Sequence, residues 1–229
     1  MVFVVAEIGV NWDGSIELAE EMMRTAKNVG CDAVKFQAYQ ESMVKAHPQW
    51  QRLMKTTIKQ DNIQAIDRLS KEIGIEWFCT PMYPEAVELL GPFVKRFKIR
   101  EFDSKPLLEN KTSELLERVL RTGKEVIISS NKSPKRSGNQ KVKWLYVVPK
   151  YPCGIEDLNF NNLREFDGYS NHHPHIIAPL TASILGAQII EVHITADKTK
   201  DYIDNNVSFD YGELKQLIDM IRLAEQIKK

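Results

Sequence analysis

Two histidines, His172 and His193, each close a short apolar run that reads as a β-strand, and one helix-length segment, Pro174 to Gly186, separates them. In a parallel β/α sheet, consecutive strands are neighbours whose C-terminal ends share one mouth. Two imidazoles so placed can reach one divalent ion and leave positions open for water or substrate. The alternative is that each ring only hydrogen-bonds at a strand end, and no H-x-x-x-H spacing decides between the two. Two lysines also lie inside strand-like runs: Lys35 in Ala33-Val34-Lys35-Phe36-Gln37, and Lys98 in Phe97-Lys98-Ile99. A charge inside a strand is costly unless paired or used. Two ammonium groups beside serine hydroxyls suit a ligand carrying phosphate and carboxylate. Either lysine could equally close a salt bridge with Glu7 or Asp103.

The elements that must position these groups alternate along the chain. Strands are expected at Phe3 to Ile8, Ala33 to Gln37, Ile75 to Thr80, Arg96 to Arg100, Glu125 to Ser130, Trp144 to Val148, Gly168 to Asn171 and Gln188 to Thr195. Helical patterns fall at Ile16 to Asn28 (capped by Ser15), Lys59 to Glu72, Glu85 to Leu90, Leu107 to Arg121, Ile155 to Phe166, His175 to Leu185 and Gly212 to Lys228. Eight strands fit a single (β/α)8 TIM barrel over residues 1–229. The fifth β/α unit is shortened. Its connection, Asn131 to Lys143, is too short and polar for a covering helix and carries Lys132, Lys135, Arg136, Lys141 and Lys143. It reads either as a solvated loop or as a basic lid over an anionic substrate. Glu41 to Thr57, with His47 and Trp50, is a second candidate cover.

Composition narrows the class. Lys plus Arg and Asp plus Glu both number 31, so no global field favours nucleic acid or an anionic membrane. Cys31, Cys79 and Cys153 are an odd number without C-x-x-C spacing, which argues against a disulfide framework and points to a reducing cytoplasm. The apolar opening meets Glu7 at once and lacks a basic n-region, so it reads as a buried strand. No apolar run is long enough for a membrane span.

The residues closing the strands are unusually polar, and in a barrel those positions line the catalytic face. They are Glu7 with Asn11 beyond it, Lys35 and Gln37, Thr80, Lys98 with Asp103 after it, Ser129 and Ser130, Tyr151, Ser170 and His172, and His193. Here the chain resembles the sialic acid synthase family, which condenses phosphoenolpyruvate with N-acylated sugars. The resemblance rests on Ala6-Glu7-Ile8-Gly9-Val10-Asn11-Trp12-Asp13-Gly14-Ser15, Asp32-Ala33-Val34-Lys35-Phe36-Gln37, Phe78-Cys79-Thr80-Pro81, Tyr151-Pro152, Gly168-Tyr169-Ser170-Asn171-His172 and Ile190-Glu191-Val192-His193. Asp204, Ser208 and Glu213-Leu214 continue it in the same order.

The resemblance implies a divalent metal, manganese most of all, on His172 and His193. Imidazoles alone would equally suit zinc or iron. It implies phosphoenolpyruvate held by Lys35, Thr80, Lys98, Ser129 and Ser170, and an amino sugar or related aldose as acceptor, with Asn11, Gln37 and Tyr151 among the substrate-facing positions. Glu7, Asp103 and Asp204 take the acidic roles. The product would be a nonulosonic-acid-type 2-keto-3-deoxy sugar acid. This chain departs from the family at Trp12, Asn171, Arg100-Glu101, Asn131-Lys132 and Pro149-Lys150. The family's C-terminal antifreeze-like domain is expected to be absent, so a homodimer would form without a domain swap. Two other readings stay open: a metal-dependent barrel acting on another phosphorylated or carboxylated sugar, and a non-catalytic binding relative.

Overall fold

In the computed structural model, which describes residues 1–134 and 138–227, eight parallel strands close into a barrel in sequence order. The strands are β1 (Phe3–Gly9), β2 (Ala33–Ala38), β3 (Glu76–Pro81), β4 (Arg96–Ile99), β5 (Glu125–Ser130), β6 (Val142–Val147), β7 (Gly168–Asn171) and β8 (Ile189–His193). The helices are α1 (Ile16–Val29), α2 (Glu41–Val44), α3 (Trp50–Thr56), α4 (Ile63–Ile73), α5 (Glu85–Leu90), α6 (Glu101–Leu108), α7 (Glu114–Arg121), α8 (Ile177–Ile184) and α9 (Tyr211–Ile227). This is the (β/α)8 barrel expected from the alternating pattern.

Strand side chains alternate between the barrel interior and the helical layer. The outward set, including Val4, Ala6, Val34, Phe36, Ile190 and Val192, merges with Met22, Met23, Ile66, Leu116 and Leu217 from the helices into one buried core. The inward set changes along the axis. At the bottom, Arg96 is clamped by Glu76 (2.6 Å) and Glu125 (2.5 Å), with its guanidinium 4.6 Å from the Phe3 ring centroid. At the top, inward positions are polar. Register brings them together: Glu7 pairs with Lys35 on one side and His193 on the other, and Ser170 pairs with Glu191. Gly168 is required where β7 meets β8, since a Cβ there would stand 2.0 Å from the Ile189 carbonyl oxygen.

Three helical expectations change. Leu107 to Arg121 is two helices, because Asn110 adopts φ 57° and Ser113 starts α7 by accepting the Leu116 N–H. Ile155 to Phe166 holds only the 3-10 turns Ile155–Asp157 and Leu163–Glu165. Its asparagines compete for backbone groups, Asn159 accepting the Asn161 N–H at 3.0 Å. The sixth unit therefore holds no α-helix among the described residues. His175 precedes α8, its Nδ1 accepting the Ile177 N–H at 3.1 Å.

The basic-lid reading of the fifth connection also changes. Because β6 starts at Val142, the chain has already returned to the barrel bottom there. Lys141 binds the Gly123 carbonyl (2.7 Å) and Lys143 sits beside Ile127, both at the end remote from the mouth. Lys132 is exposed, while Lys135 and Arg136 lie outside the described residues. Lys228, the expected end of the last helix, lies outside them too.

Candidate active site

The strand C-termini surround a cavity of about 450 Å³, within the roughly 300–1,000 Å³ range of small-molecule sites. Glu7, Lys35, Gln37, Thr80, Lys98, Ser129, Tyr151, Ser170, His172, His193 and Asp204 all line it. They arrive from the ends of all eight strands and the loops that follow them, and the closed register is what converges them.

Lys35 and Lys98, 5% and 3% exposed, are both paired. Lys35 Nζ lies 3.0 Å from Glu7 Oε2 and donates to Thr80 Oγ1 at 3.2 Å. Lys98 Nζ lies 2.8 Å from Glu191 Oε1, which also accepts from Ser170 Oγ at 2.8 Å and stands 3.7 Å from Lys35 Nζ. Glu191 is thus the hub of the floor. Burial raises its pKa, but the two lysines and the two hydrogen bonds outweigh burial and hold it well below the usual carboxylate range. Opposite effects act on the lysines: burial pushes Lys98 down, while Glu191 and Glu7 together lift Lys35 above its ordinary value despite burial. Sequence reasoning missed Glu191. The signal was present, since a charge sits inside Ile189-Ile190-Glu191-Val192, the same oddity that singled out Lys35 and Lys98.

The Lys98 ammonium is not saturated. It has three donors and uses one on Glu191, so donors remain for a ligand. Two buried polar atoms around the cavity, Ser129 Oγ and Glu191 Oε2, lack hydrogen-bond partners, while Glu7 Oε2 and His193 Nδ1 are met only by the ion-pair contacts to Lys35 and Asp204. Buried polar groups are ordinarily satisfied, so this concentration marks a place built for something else to bind.

His172 offers its Nδ1 to the Val148 carbonyl at 2.8 Å, which leaves Nε2 for the cavity. Burial pushes its pKa down to about 3, with His193 adding to the effect, so the ring is the neutral form a metal requires. His193 Nδ1 stands 3.4 Å from Asp204 Oδ2. A metal-bound imidazole nitrogen lies about 2.1 Å from the ion and puts the ring centroid about 3.2 Å away, so rings sharing an ion sit within about 6.4 Å of each other. The observed separation is 5.6 Å. The two rings are thus close enough to share an ion. Among the described residues no group of three or more His, Cys, Asp or Glu is placed so that it could hold a metal ion. His173 is turned aside, its Nδ1 on the Cys153 carbonyl at 2.9 Å.

Two expected site residues lie elsewhere. Asn11 does not face the cavity: its amide donates to the Ile194 carbonyl and Ser208 Oγ, both at 2.9 Å, and its oxygen accepts the Asp204 N–H at 3.1 Å. It therefore positions Asp204. Asp103 is turned to Arg100, with which it forms an ion pair. Glu101 lines the cavity and is faced by Lys105 at 3.6 Å, not by Arg100. Asn171 sets the turn after β7, donating to the His173 carbonyl at 2.7 Å. Trp12 is buried against Phe36 at 5.9 Å, away from the site. Of the two candidate covers, the segment holding α2 and α3 does reach the mouth, with His47 and Leu53 on the cavity wall.

A closed parallel barrel with lysines, hydroxyls, carboxylates and two imidazoles converging at its C-terminal mouth is a TIM barrel whose polar cavity lies where that fold places its active sites. The chain belongs to the NeuB family, whose model matches residues 22–229. It is 31% identical to an uncharacterised protein of Methanocaldococcus jannaschii, over 98% of this chain and 71% of that one. It is 29% identical to an N,N'-diacetyllegionaminic acid synthase of Legionella pneumophila, over 98% of this chain and 72% of the relative. Its fold matches the crystal structure of an N-acetylneuraminic acid synthetase from Leptospira borgpetersenii in complex with citrate with TM-score 0.86 and 27% identity, covering 99% of this chain and 85% of the other. No helix among the described residues is long and apolar enough to cross a membrane.

Proposed function

We propose that this chain condenses phosphoenolpyruvate with an aldose to give a 2-keto-3-deoxy sugar acid and phosphate. The observation that carries the reading is the convergence of two buried lysines with the unpartnered Ser129 Oγ and Glu191 Oε2 in one cavity. Lys35 and Lys98 meet the carboxylate and phosphate of the enol phosphate, Lys98 with its free donors on the phosphate. Ser129, Thr80 and Ser170 add hydroxyl donors. Ser129 Oγ is the readiest, having no partner to give up.

His172 and His193 are the residues that would hold a divalent metal, manganese by family likeness, and the bound ion would polarise the acceptor aldehyde and stabilise its developing negative charge. Tyr151, tilted against His172 with 3.9 Å between ring centroids, covers that edge of the site. In the reaction, the C3 carbon of the enol phosphate bonds to the aldehyde carbon, water adds at C2, and the C2–O bond to phosphate breaks. Glu7 is the base for that water. Its Oε1 is fixed by Gln37 Nε2 at 2.8 Å, while Oε2 is held 3.0 Å from Lys35 Nζ. Asp204 sits beside His193 at the acceptor side, and Asp103 acts only through Arg100. The N,N'-diacetyllegionaminic acid synthase relative fits this class of product.

The test is phosphate release from phosphoenolpyruvate over a panel of aldoses, with manganese and with a chelator. Aldose-dependent release that chelation abolishes is expected. The absence of both release and calorimetric binding of phosphoenolpyruvate would refute the reading.

A further inference from the structure

One helix of the outer layer is unlike the rest. From Ile176 to Ile190, the span that holds α8, no residue is ionisable, whereas every other helix among the described residues carries at least one Asp, Glu, Lys or Arg. A covering helix ordinarily turns a charged stripe toward water, and a helix that is apolar all round is buried. The inner face of α8 is buried through Ala178, Pro179, Leu180, Ala182 and Ser183. Its outer stripe, Ile177, Ile184 and Leu185 at i, i+7 and i+8, is between 43% and 50% exposed. The sixth unit contributes no α-helix among the described residues, so one flank of α8 has no helical neighbour.

The apolar stripe continues onto α9, which packs beside α8. Arg222 marks the far edge of α9, its guanidinium reaching the Gly30 carbonyl at 3.4 Å and Asp32 at 3.5 Å beyond the end of α1. Ala224 marks the near edge, since it shares a surface groove with Ser183 and Gly186 at the end of α8. Met220 stands one turn before Ala224, and Leu223 and Ile227 follow Met220 at i+3 and i+7, so the three lie on the outer face towards α8. They are between 37% and 85% exposed. Together the six side chains leave roughly 600 Å² of apolar surface open, at the upper limit for a free monomer (about 300–600 Å²) and most of the ~800 Å² that each partner of a stable complex buries.

We propose that α8 and the outer stripe of α9 form the interface between two copies of this chain. A second copy is the occupant the surface suits. An uncharged stripe offers no sign for an oppositely charged partner to read, while two such stripes meet across a two-fold axis without opposing like charges. The chain as a whole is neutral, with 31 basic and 31 acidic residues, so no net repulsion keeps two copies apart. Because α8 joins β7 to β8, the partner backs the two strands that lead into His172 and His193, and it does so from the side of the barrel, away from the mouth.

The test is sedimentation velocity on the whole protein. At micromolar concentration it should give twice the chain mass. Ile184→Lys, and independently Leu223→Glu should the first fail to fold, should weaken association about tenfold or more, because each buries an unpaired charge. Leu120→Lys, at an exposed leucine on α7, should leave association unchanged. Hydrogen exchange on the unaltered protein gives a reading that needs no variant: raising the concentration should slow exchange in α8 and the second half of α9. A monomer at micromolar concentration, a dimer that both face variants leave intact, or protection that grows elsewhere and not on α8 and α9 overturns the inference.

Discussion

Glu191→Gln keeps the size of the side chain and can still accept from Ser170, but it removes the charge that two buried ammonium groups share. Lys35 retains Glu7 at 3.0 Å. Lys98 loses the one carboxylate that, among the described residues, stands within ion-pair distance of it. Removing one partner of a buried pair typically costs about 3–5 kcal/mol, because the other charge is left without compensation. Lys98 can escape part of that by shedding its proton, since burial and Lys35 already push its pKa down and Glu191 is the largest opposing influence. The sign follows. Where the unfolded chain, with a lysine pKa near the ordinary value of about 10.4, binds a proton that the folded variant has released, stability rises with pH. In the unaltered protein Lys98 gives a shallower slope of the same sign. Lys35 opposes it: its folded pKa is raised, so its contribution is present below the unfolded value and is lost as pH rises through the folded one. Urea unfolding followed by circular dichroism should therefore show the variant about 3–5 kcal/mol less stable at pH 7, with part of the gap closing toward pH 9. A variant within about 1 kcal/mol of the parent at pH 7, with a parallel pH profile, would refute the hub role of Glu191.

Ser129→Ala removes a hydroxyl that has no protein partner, so its unfolding free energy should stay within about 1 kcal/mol of the parent. Its affinity for phosphoenolpyruvate should fall about tenfold by calorimetry, or about 1.4 kcal/mol; unchanged affinity would take Ser129 out of the phosphate pocket. Gly168→Ala places a Cβ 2.0 Å from the Ile189 carbonyl oxygen, where backbone cannot yield without opening the barrel, so a loss above about 4 kcal/mol or insoluble expression is expected. Thiol titration should find Cys31, Cys79 and Cys153 silent at pH 8 in the folded protein and all reactive in denaturant. All three are buried, and burial pushes the Cys31 thiol up to about 12; fast labelling of any one in the native state would contradict this.

The sequence by itself determined the strand order, the barrel and most of the cavity lining. Those features depend on local patterns: apolar runs of strand length, helical periodicity between them, and polar residues closing each run. Lys35 and Lys98 were legible because a charge in an apolar strand needs a partner or a use. Which partner each has was not legible. Closing the ring sets β8 beside β1, so that Glu191, remote in sequence, becomes the counter-ion of Lys98. Asn11 and Asp103 stand at the right places in the chain to face a substrate, yet their side chains turn to Asp204 and Arg100, because a buried amide or a carboxylate beside a guanidinium takes the nearest partner. The basic connection has a lid's composition, and only the start of β6 at the barrel bottom shows that Lys141 and Lys143 are at the far end. Local chemistry fixes which residues form strands and where they end, while the directions of side chains and the identity of long-range charge partners depend on how the ring closes.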